Sequence, residues 1–387
     1  MAIEPGGQPK ALRTIRQSVF WVSLPFGILG FALPIIGKER GASAVQIGFF
    51  YTAFFVMTVL LRPLVGAGLD RYGRRLFLLV GLGGYAATMF AFSTLEGVLG
   101  LVLARTLQGV ASSLTWLAVQ AIVADVAVDA SRARSFGSVT AASSRGSILG
   151  AFIGFGVLFR LTPDRGWQPL CIGYGCAALA AAWLVWRFLP ETRPSQQTAH
   201  ITRIAWTRNW SLLLLVTLVT GAAWAMVEPV LMIFLQDSLH AKVQQLGLAF
   251  LPAALVWALL PERLGKLADR FGRKPLMILG LVVATISSLL IPWLTSLVGL
   301  AILWAVQALS YAAGDPAEQA LVAELTGGDQ LGKAYGLYAT AAGLGAAFGP
   351  LVGGWLYDTS GAQAPFYVNA VILALCAVVL GLWLHTD

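Results

Sequence analysis

Long apolar stretches dominate this chain and follow one another with only short polar segments between them. A helix of about 20 apolar residues crosses the roughly 30 Å of hydrocarbon in a bilayer. Only 11% of the 387 residues are charged, whereas soluble domains carry about 25%, so a soluble globular fold is excluded. The pattern predicts an all-α integral membrane protein with twelve transmembrane helices, at residues 15–36, 44–65, 76–94, 98–125, 135–160, 167–189, 209–235, 243–262, 275–294, 297–324, 333–357 and 364–384.

Lys and Arg lie in small clusters between the apolar stretches and give a net charge of +8. Nucleic-acid-binding proteins concentrate such charge on one face or one helix, so no nucleic-acid partner is expected. The clusters fall mainly on one side of the predicted topology, and the positive-inside rule then places both termini in the cytoplasm of a multi-pass cell (inner) membrane protein. The three cysteines and three histidines have no metal-ligand spacing, so we expect no metal and no cofactor.

The second half of the chain repeats the first, because residues 46–154 align without a gap with residues 245–353. Polar identities such as Asp70 with Asp269 stay in register, which shared apolar composition alone would not achieve. Such duplicated halves are a transporter architecture, with the substrate site near the membrane midplane. We expect two pseudo-symmetric six-helix bundles in a monomer, at 1–189 and 209–387, joined by a cytoplasmic linker at 190–208.

One polar motif occurs twice, as GAGLDRYGRR at 66–75 and GKLADRFGRK at 265–274, in the matching loops after spans two and eight. Its glycines permit a tight turn, and its Asp and basic residues can form charge-assisted bonds to a neighbouring helix end. Both copies match the G-x-x-x-D-R-x-G-R-[RK] motif of the major facilitator superfamily, which the chain resembles over essentially its whole length. Further matches are Arg105-x-x-Gln108-Gly109, Leu189-Pro190-Glu191-Thr192 and Leu33-Pro34.

This resemblance implies the major facilitator fold and a latch that holds one gating state. The first copy of the latch would comprise Gly66, Asp70, Arg71, Gly73, Arg74 and Arg75, with Asp125 at the end of span four as charge partner. The second copy would comprise Gly265, Asp269, Arg270, Gly272, Arg273 and Lys274, with Glu324 as the equivalent acid. The alternative is that these charges only fix the topology.

A glycine repeat occurs in spans five and eleven and resembles the drug:proton antiporter branch of the family. Span eleven fits the G-x-x-x-G-P-x-x-G-G pattern fully, whereas span five has Ala151 in place of Pro and Phe155 in place of Gly. The alternative is that small residues simply let helices approach closely. The residues concerned are Gly146, Gly150, Gly154, Gly345, Gly349, Pro350, Gly353 and Gly354.

Among the acidic residues, we expect only Glu228 in span seven and Asp315 in span ten to face a cavity. A carboxylate inside a span costs about 2.5 to 3.5 kcal/mol and is therefore a functional candidate. Glu228-Pro229 resembles the Glu-Pro of vesicular amine transporters and related drug exporters. The alternatives are that Glu228 reaches water at the outer boundary and that Asp315 is a charge at the cytoplasmic edge. Arg105 and Gln108 resemble the family's proton-coupling pair, although its usual carboxylate partner in span one is missing.

The resemblance places spans one, four, seven and ten around a central cavity. Aromatic rings there would hold a planar or cationic solute by stacking and cation–π contact, and Arg145 would bind an anionic group or form a structural ion pair. The cavity candidates are Trp116, Gln120, Arg145, Trp224, Gln307, Tyr311 and Gln319. The leading hypothesis is proton-coupled efflux of a small amphipathic or cationic solute by alternating access. The alternative is a proton symporter or uniporter for a sugar, anion or metabolite. The chain carries no catalytic set, so we do not expect an enzyme.

Overall fold

The computed structural model describes residues 8–126, 132–161, 163–192, 206–260, 272–326 and 331–383. Almost all of these residues are helical and none of them forms a strand. Helices are favoured because every backbone polar group inside a bilayer must find its partner within the protein. The helices are α1 (Gln8–Val22), α2 (Leu24–Glu39), α3 (Ala44–Leu60), α4 (Arg62–Tyr72), α5 (Arg74–Thr94), α6 (Gly97–Val126), α7 (Arg132–Arg160), α8 (Pro163–Phe188), α9 (Arg208–Leu239), α10 (Val243–Leu259), α11 (Arg273–Leu290), α12 (Leu297–Thr326), α13 (Leu331–Ser360) and α14 (Ala364–Trp383).

Helices with the length and apolar composition of membrane spans account for most of this list. Nine such segments occur within the described ranges, and the bent pair α3 and α4 is a tenth candidate. Two shorter apolar segments, Gln244–Val256 and Leu297–Ala312, lie where the two remaining spans were predicted. The described residues therefore carry apolar helix at every predicted span, and the all-α membrane fold is confirmed.

The first two spans are each built from two helical pieces. Ser23 separates α1 from α2 and Leu61 separates α3 from α4, and a proline lies at the start of each second piece. Proline has no backbone N–H to donate to the preceding turn, so the helix breaks or bends beside it. The α3–α4 pair is bent by 44°.

The first copy of the repeated motif is not the loop that the sequence predicted. Helix α4 continues through the motif to Tyr72, and α5 begins at Arg74. Gly73 alone interrupts the helices, with a φ of 98° that residues with a side chain rarely adopt. Leu69 and Val65 are buried on α4, and their burial holds the segment as a helix rather than a loop.

The chain forms two compact units. Unit 1 comprises Met1–Gly41 and Ala53–His200, and unit 2 comprises Ala42–Thr52 and Ile201–Asp387. Within unit 2, the carboxylate of Asp358 at the end of α13 accepts hydrogen bonds from the backbone N–H groups of Ala44 (3.2 Å) and Val45 (2.9 Å). These groups open α3, where N–H donors have no acceptor within their own helix. Most of the predicted linker, residues 193–205, lies outside the described residues.

The glycine repeat forms a close helix crossing in each unit. In unit 1, a Cβ at Gly146, Gly150 or Gly154 would overlap Phe20, Leu24 or Ile28 of the first span. In unit 2, a Cβ at Gly345, Gly349 or Gly353 would overlap Leu218, Ala222 or Met226 of α9. Both crossings thus repeat every four residues, which is the spacing of one helix face. The duplication in sequence therefore recurs in the structure, because small residues let two helices approach closely in each unit.

Candidate functional site

The motif in unit 1 is organised around the guanidinium of Arg74. Its Nε lies 2.9 Å from Oδ2 of Asp125 at the end of α6, and its Nη1 donates to the backbone carbonyl of Leu69 at 2.9 Å. Its Nη2 lies 3.3 Å from Oδ1 of Asp70. Because the Arg74 side chain is only 4% exposed, these charge-assisted bonds are made where water competes little.

The two acids beside Arg74 differ in their access to solvent. The Asp125 side chain is 10% exposed, whereas the Asp70 side chain is 66% exposed. Asp125 is therefore a fixed partner of Arg74, while Asp70 presents most of its carboxylate for further bonds. The remaining members of this copy are Gly66, which is partly buried, Arg71, which is exposed, and Arg75, which is partly buried.

Glu191 completes this cluster, although its sequence position did not mark it as a site residue. Its carboxylate accepts hydrogen bonds from the backbone N–H groups of Arg74 (2.8 Å) and Arg75 (3.2 Å) at the start of α5. An anion is favoured at a helix N-terminus, and Gly73 leaves room for it because a Cβ there would meet the same carboxylate. The hydroxyl of the adjacent Thr192 donates a hydrogen bond to the carboxylate of Asp125 at 3.3 Å. The Leu-Pro-Glu-Thr segment was noticed in the sequence, but its contact with the motif depends on tertiary structure.

The second copy of the motif is described only in part. Gly272 adopts a φ of 87°, at the position that Gly73 holds in the first copy. Arg273 then forms an ion pair with Glu324 at the end of α12, and both side chains are partly exposed. Lys274 follows at the start of α11 and is partly buried. Gly265, Asp269 and Arg270 lie outside the described residues.

Arg105 and Gln108 form a buried polar pair in α6. Nη1 of Arg105 donates to Oε1 of Gln108 at 2.7 Å, and the two residues are 7% and 2% exposed. The Arg105 guanidinium also lies 4.9 Å from the ring centre of Phe54, within the range of a cation–π contact. The sequence predicted the pair but not the aromatic ring, which α6 approaches closely at Gly109.

The other cavity candidates of unit 1 are dispersed over two helices. The Trp116 ring of α6 lies 6.2 Å from the ring of Phe26 in α2, and Gln120 is exposed one turn further along α6. Arg145 of α7 is also exposed, and it forms no salt bridge within the part of the chain that the structure describes. Beside it, the hydroxyls of Ser143 and Ser23 are 2.9 Å apart.

In unit 2, helices α9 and α12 bring aromatic and acidic side chains together. The rings of Trp224 and Tyr311 have centres 4.5 Å apart and planes inclined at 52°. Glu228 lies one helical turn beyond Trp224 on α9 and is exposed. Gln307 lies one turn before Tyr311 on α12 and is partly buried. Asp315 and Gln319 also lie in α12, but their side chains are outside the described part of the structure.

A further carboxylate, which was not among the candidates from the sequence, lies in this region of unit 2. Oε1 of Glu318 in α12 accepts a hydrogen bond from the hydroxyl of Thr217 in α9 at 3.1 Å. Glu318 lies seven residues beyond Tyr311, so both point to the same face of α12. The sequence stripe that singled out Tyr311 and Asp315 could have included Glu318 if it had been extended by one turn.

Comparisons with known proteins agree with this architecture. The model of the Major Facilitator Superfamily matches residues 18–264 and 213–387. Multidrug resistance protein 1 of Bacillus subtilis is 24% identical over 370 residues, covering 94% of both chains. Quinolone resistance protein NorA of Staphylococcus aureus is 22% identical over 384 residues, covering 96% of this chain and 95% of NorA.

Solved structures show the same fold. A bacterial homologue of the human lysosomal transporter Spinster, in an inward-facing and occupied conformation, superposes with a TM-score of 0.82 at 13% identity. The superposition covers 98% of this chain and 97% of that one. Since the family model spans nearly the whole chain and the helices follow the same fold, this protein is a transporter that belongs to the major facilitator superfamily.

Proposed function

We propose that this protein exports a small amphipathic cation across the cell membrane in exchange for protons, with both termini in the cytoplasm. The observation that carries the proposal is the Trp224–Tyr311 pair, whose rings lie 4.5 Å apart on α9 and α12 with a carboxylate, Glu228, one turn away. Aromatic faces attract organic cations, and a carboxylate within a span can bind a cation or a proton in turn.

The names of two relatives support efflux of drug-like molecules. A multidrug resistance protein and a quinolone resistance protein both match this chain over more than nine tenths of their length. Arg145, exposed on α7, would instead favour an anionic solute, so the charge of the solute is the first quantity to test.

We further propose that the motif cluster is a latch rather than a topology signal. Asp125 fixes Arg74, and Glu191 caps the helix that begins at Arg74. Together they hold the exposed Asp70 in a defined position, from which it would bond to another helix end in one gating state and release it in the other. Because one chain contains both duplicated units, a single copy supplies a whole transport cycle, and we propose that the protein acts as a monomer.

The experiment uses purified protein in liposomes with an acidic lumen and measures uptake of ethidium, a permanently charged aromatic cation. We expect a pH gradient to concentrate ethidium in wild-type liposomes and not in Glu228→Gln liposomes. Exchange of ethidium at equal pH should survive in that variant, because it needs no net proton movement. Glu96→Gln is the matched control, since Glu96 is exposed in the short connection between α5 and α6.

Two results would contradict the proposal. If wild-type protein carries an aromatic carboxylate such as benzoate and not ethidium, the anion-transport alternative replaces cation export. If Glu228→Gln still concentrates ethidium with the pH dependence of wild type, Glu228 is not a coupling residue and Asp315 becomes the next candidate.

A further inference from the structure

Glu318 occupies a position that ties it to the aromatic pair. It lies about eight residues, or about 12 Å, before the end of α12 at Thr326, which is well inside the helix. Its side chain is partly buried, and its partner Thr217 is only 3% exposed. A carboxylate at this depth is costly, so it is a functional candidate rather than a solvated surface charge.

Two contacts fix the register of α9 against α12. Thr217 bonds to Glu318, and Trp224 packs on Tyr311. On α9, Trp224 follows Thr217 by seven residues, which are two helical turns. On α12, their partners come in the reverse order, because Glu318 follows Tyr311 by seven residues. The two helices are therefore antiparallel, and the same faces meet at both contacts. Glu318 lies about 10 Å from the aromatic pair along the axis.

Carboxylates thus flank the aromatic pair on both sides along the helix axis. Glu228 lies one turn towards the end of α9 at Leu239, whereas Glu318 lies two turns towards the end at which α9 begins and α12 ends. Arg273, in the described part of the second motif copy, pairs with Glu324 at this second end, which is the cytoplasmic end if both termini are cytoplasmic, because α9 follows six predicted spans. A cation entering from that end would meet the Glu318 carboxylate before the rings.

Among the described side chains, Glu318 is the first acid along this approach after Glu324, which is already paired with Arg273. Helices α9, α10, α11 and α13 pack against α12. On their described parts, the titratable side chains in the half nearest the motif are Arg208 on α9, Arg273 and Lys274 on α11, and Tyr335 and Tyr338 on α13; the described part of α10 carries none. Arg273 is paired with Glu324, two turns further along α12. No second carboxylate faces Glu318 from the described parts of these helices.

We propose that Glu318 is an acidic binding residue of the solute site, at which a cationic solute and a proton compete on the cytoplasmic side. Binding of the cation would favour the ionised carboxylate and release its proton, and return of the proton would favour release of the cation. Thr217 is a positioning residue, because its hydroxyl donates to the carboxylate and holds it towards α9. The inference rests on the proposed export of cations, and it specifies in addition which residue binds the cation and on which side of the membrane.

The test measures protons released when ethidium binds to purified protein in a weakly buffered solution. Ethidium does not titrate between pH 5 and pH 9, so any proton comes from the protein. We expect wild type and Glu96→Gln to release protons equally, and Glu318→Gln to release fewer protons per bound ethidium. The dissociation constant of Glu318→Gln for ethidium at high pH should be at least tenfold higher than that of wild type, because the bound cation no longer has the negative charge of Glu318 beside it.

Thr217→Val provides a second measurement that leaves the carboxylate in place. Valine has the shape of threonine without the hydroxyl, so the balance between the two protonation states of Glu318 must change. We expect the pH of maximal proton release to move by at least half a unit, and Thr217→Ser to restore the wild-type value. This variant decides the question if Glu318→Gln is not recovered as folded protein.

The outcomes separate the inference from the function on which it rests. Wild-type protein that neither binds nor transports ethidium refutes cation export itself. Wild-type protein that releases protons on binding, together with a Glu318→Gln variant indistinguishable from Glu96→Gln, refutes only the role of Glu318. An unchanged pH of maximal release in Thr217→Val also refutes it.

Discussion

The glycine crossing of unit 1 allows a stability prediction with an internal control on the same helix. A Cβ at Gly150 would overlap the backbone carbonyl of Leu24, whereas a Cβ at Gly156 has no atom within 4 Å. Both glycines lie in α7. Replacing either with alanine therefore adds the same methyl group to the same helix, but only one of the two meets another backbone.

The expected magnitudes follow from two opposing terms. Alanine is more favourable than glycine inside a helix by about 1 kcal/mol, and this gain is the same at both positions. Overpacking costs about 1 to 3 kcal/mol, and the upper part of that range applies at Gly150 because a backbone carbonyl cannot rotate away as a side chain can. Gly150→Ala should thus be less stable than Gly156→Ala by up to about 3 kcal/mol.

Thermal unfolding of the purified variants in one detergent, followed by tryptophan fluorescence, would measure this difference. For a unit of roughly 150 to 250 residues, 3 kcal/mol corresponds to about 6 to 12 °C in Tm. Gly349→Ala should behave like Gly150→Ala, because it would overlap the carbonyl of Ala222 in the equivalent crossing of unit 2. Equal Tm values for Gly150→Ala and Gly156→Ala would refute the close crossing.

Two further predictions concern acidic residues near helix ends. Asp125→Asn should lower the free energy of unfolding by about 1.5 to 3 kcal/mol, since Arg74 loses a charged, buried partner, whereas Asp70→Asn should change stability little and slow transport without changing the affinity for ethidium. Equal destabilisation by both variants, measured by Tm, would contradict this reading. Asp358→Ala should lower the free energy of unfolding by about 1 kcal/mol, because two backbone donors at the start of α3 lose their acceptor, and Asp358→Asn should lower it by less. A Tm unchanged by Asp358→Ala would show that this helix cap contributes nothing to stability.

The fold was predictable because its main determinants are local in sequence. Hydropathy identifies apolar helices without any knowledge of their neighbours, and the duplication indicates that the two halves repeat one design. The glycine spacing even predicted a packing face, because residues four apart share one side of a helix. The sequence did not indicate the helix breaks at Ser23 and Leu61, where apolar sequence continues through a change of direction, or the helix that runs through the first motif copy to Tyr72.

The site was less predictable because its contacts join distant segments. Glu191 is 117 residues from Arg74 in sequence, and no periodicity indicates that its carboxylate caps α5. Glu318 was overlooked for a different reason. Helix α12 is apolar on several sides, so its sequence does not indicate which face meets α9. The Thr217–Glu318 bond and the Trp224–Tyr311 contact identify that face in the structure.

The contacts of α9 divide into two kinds, and the division fits a binding site between α9 and α12. Helix α9 meets α13 through backbone approaches at three glycines of α13 and at Gly221 of α9, which leave little room for adjustment. It meets α12 through side chains, including the Trp224–Tyr311 rings and the Thr217–Glu318 bond. Side chains can change rotamer around a solute without disturbing the backbone, so the interface with α12 is the adaptable one.

Unit 1 repeats the combination of a glycine crossing and an aromatic interface, but it has no acidic residue at the aromatic interface. Phe26 lies two residues before Ile28 of the glycine crossing, as Trp224 lies two residues before Met226, and it faces Trp116 of α6 at 6.2 Å. Yet α2 and α6 carry acidic residues only near their ends, at Glu39 and Asp125, and the interior charge of α6 is the cation Arg105. Duplication therefore kept the aromatic faces in both units, while the carboxylates that a cation or a proton would need lie on α9 and α12.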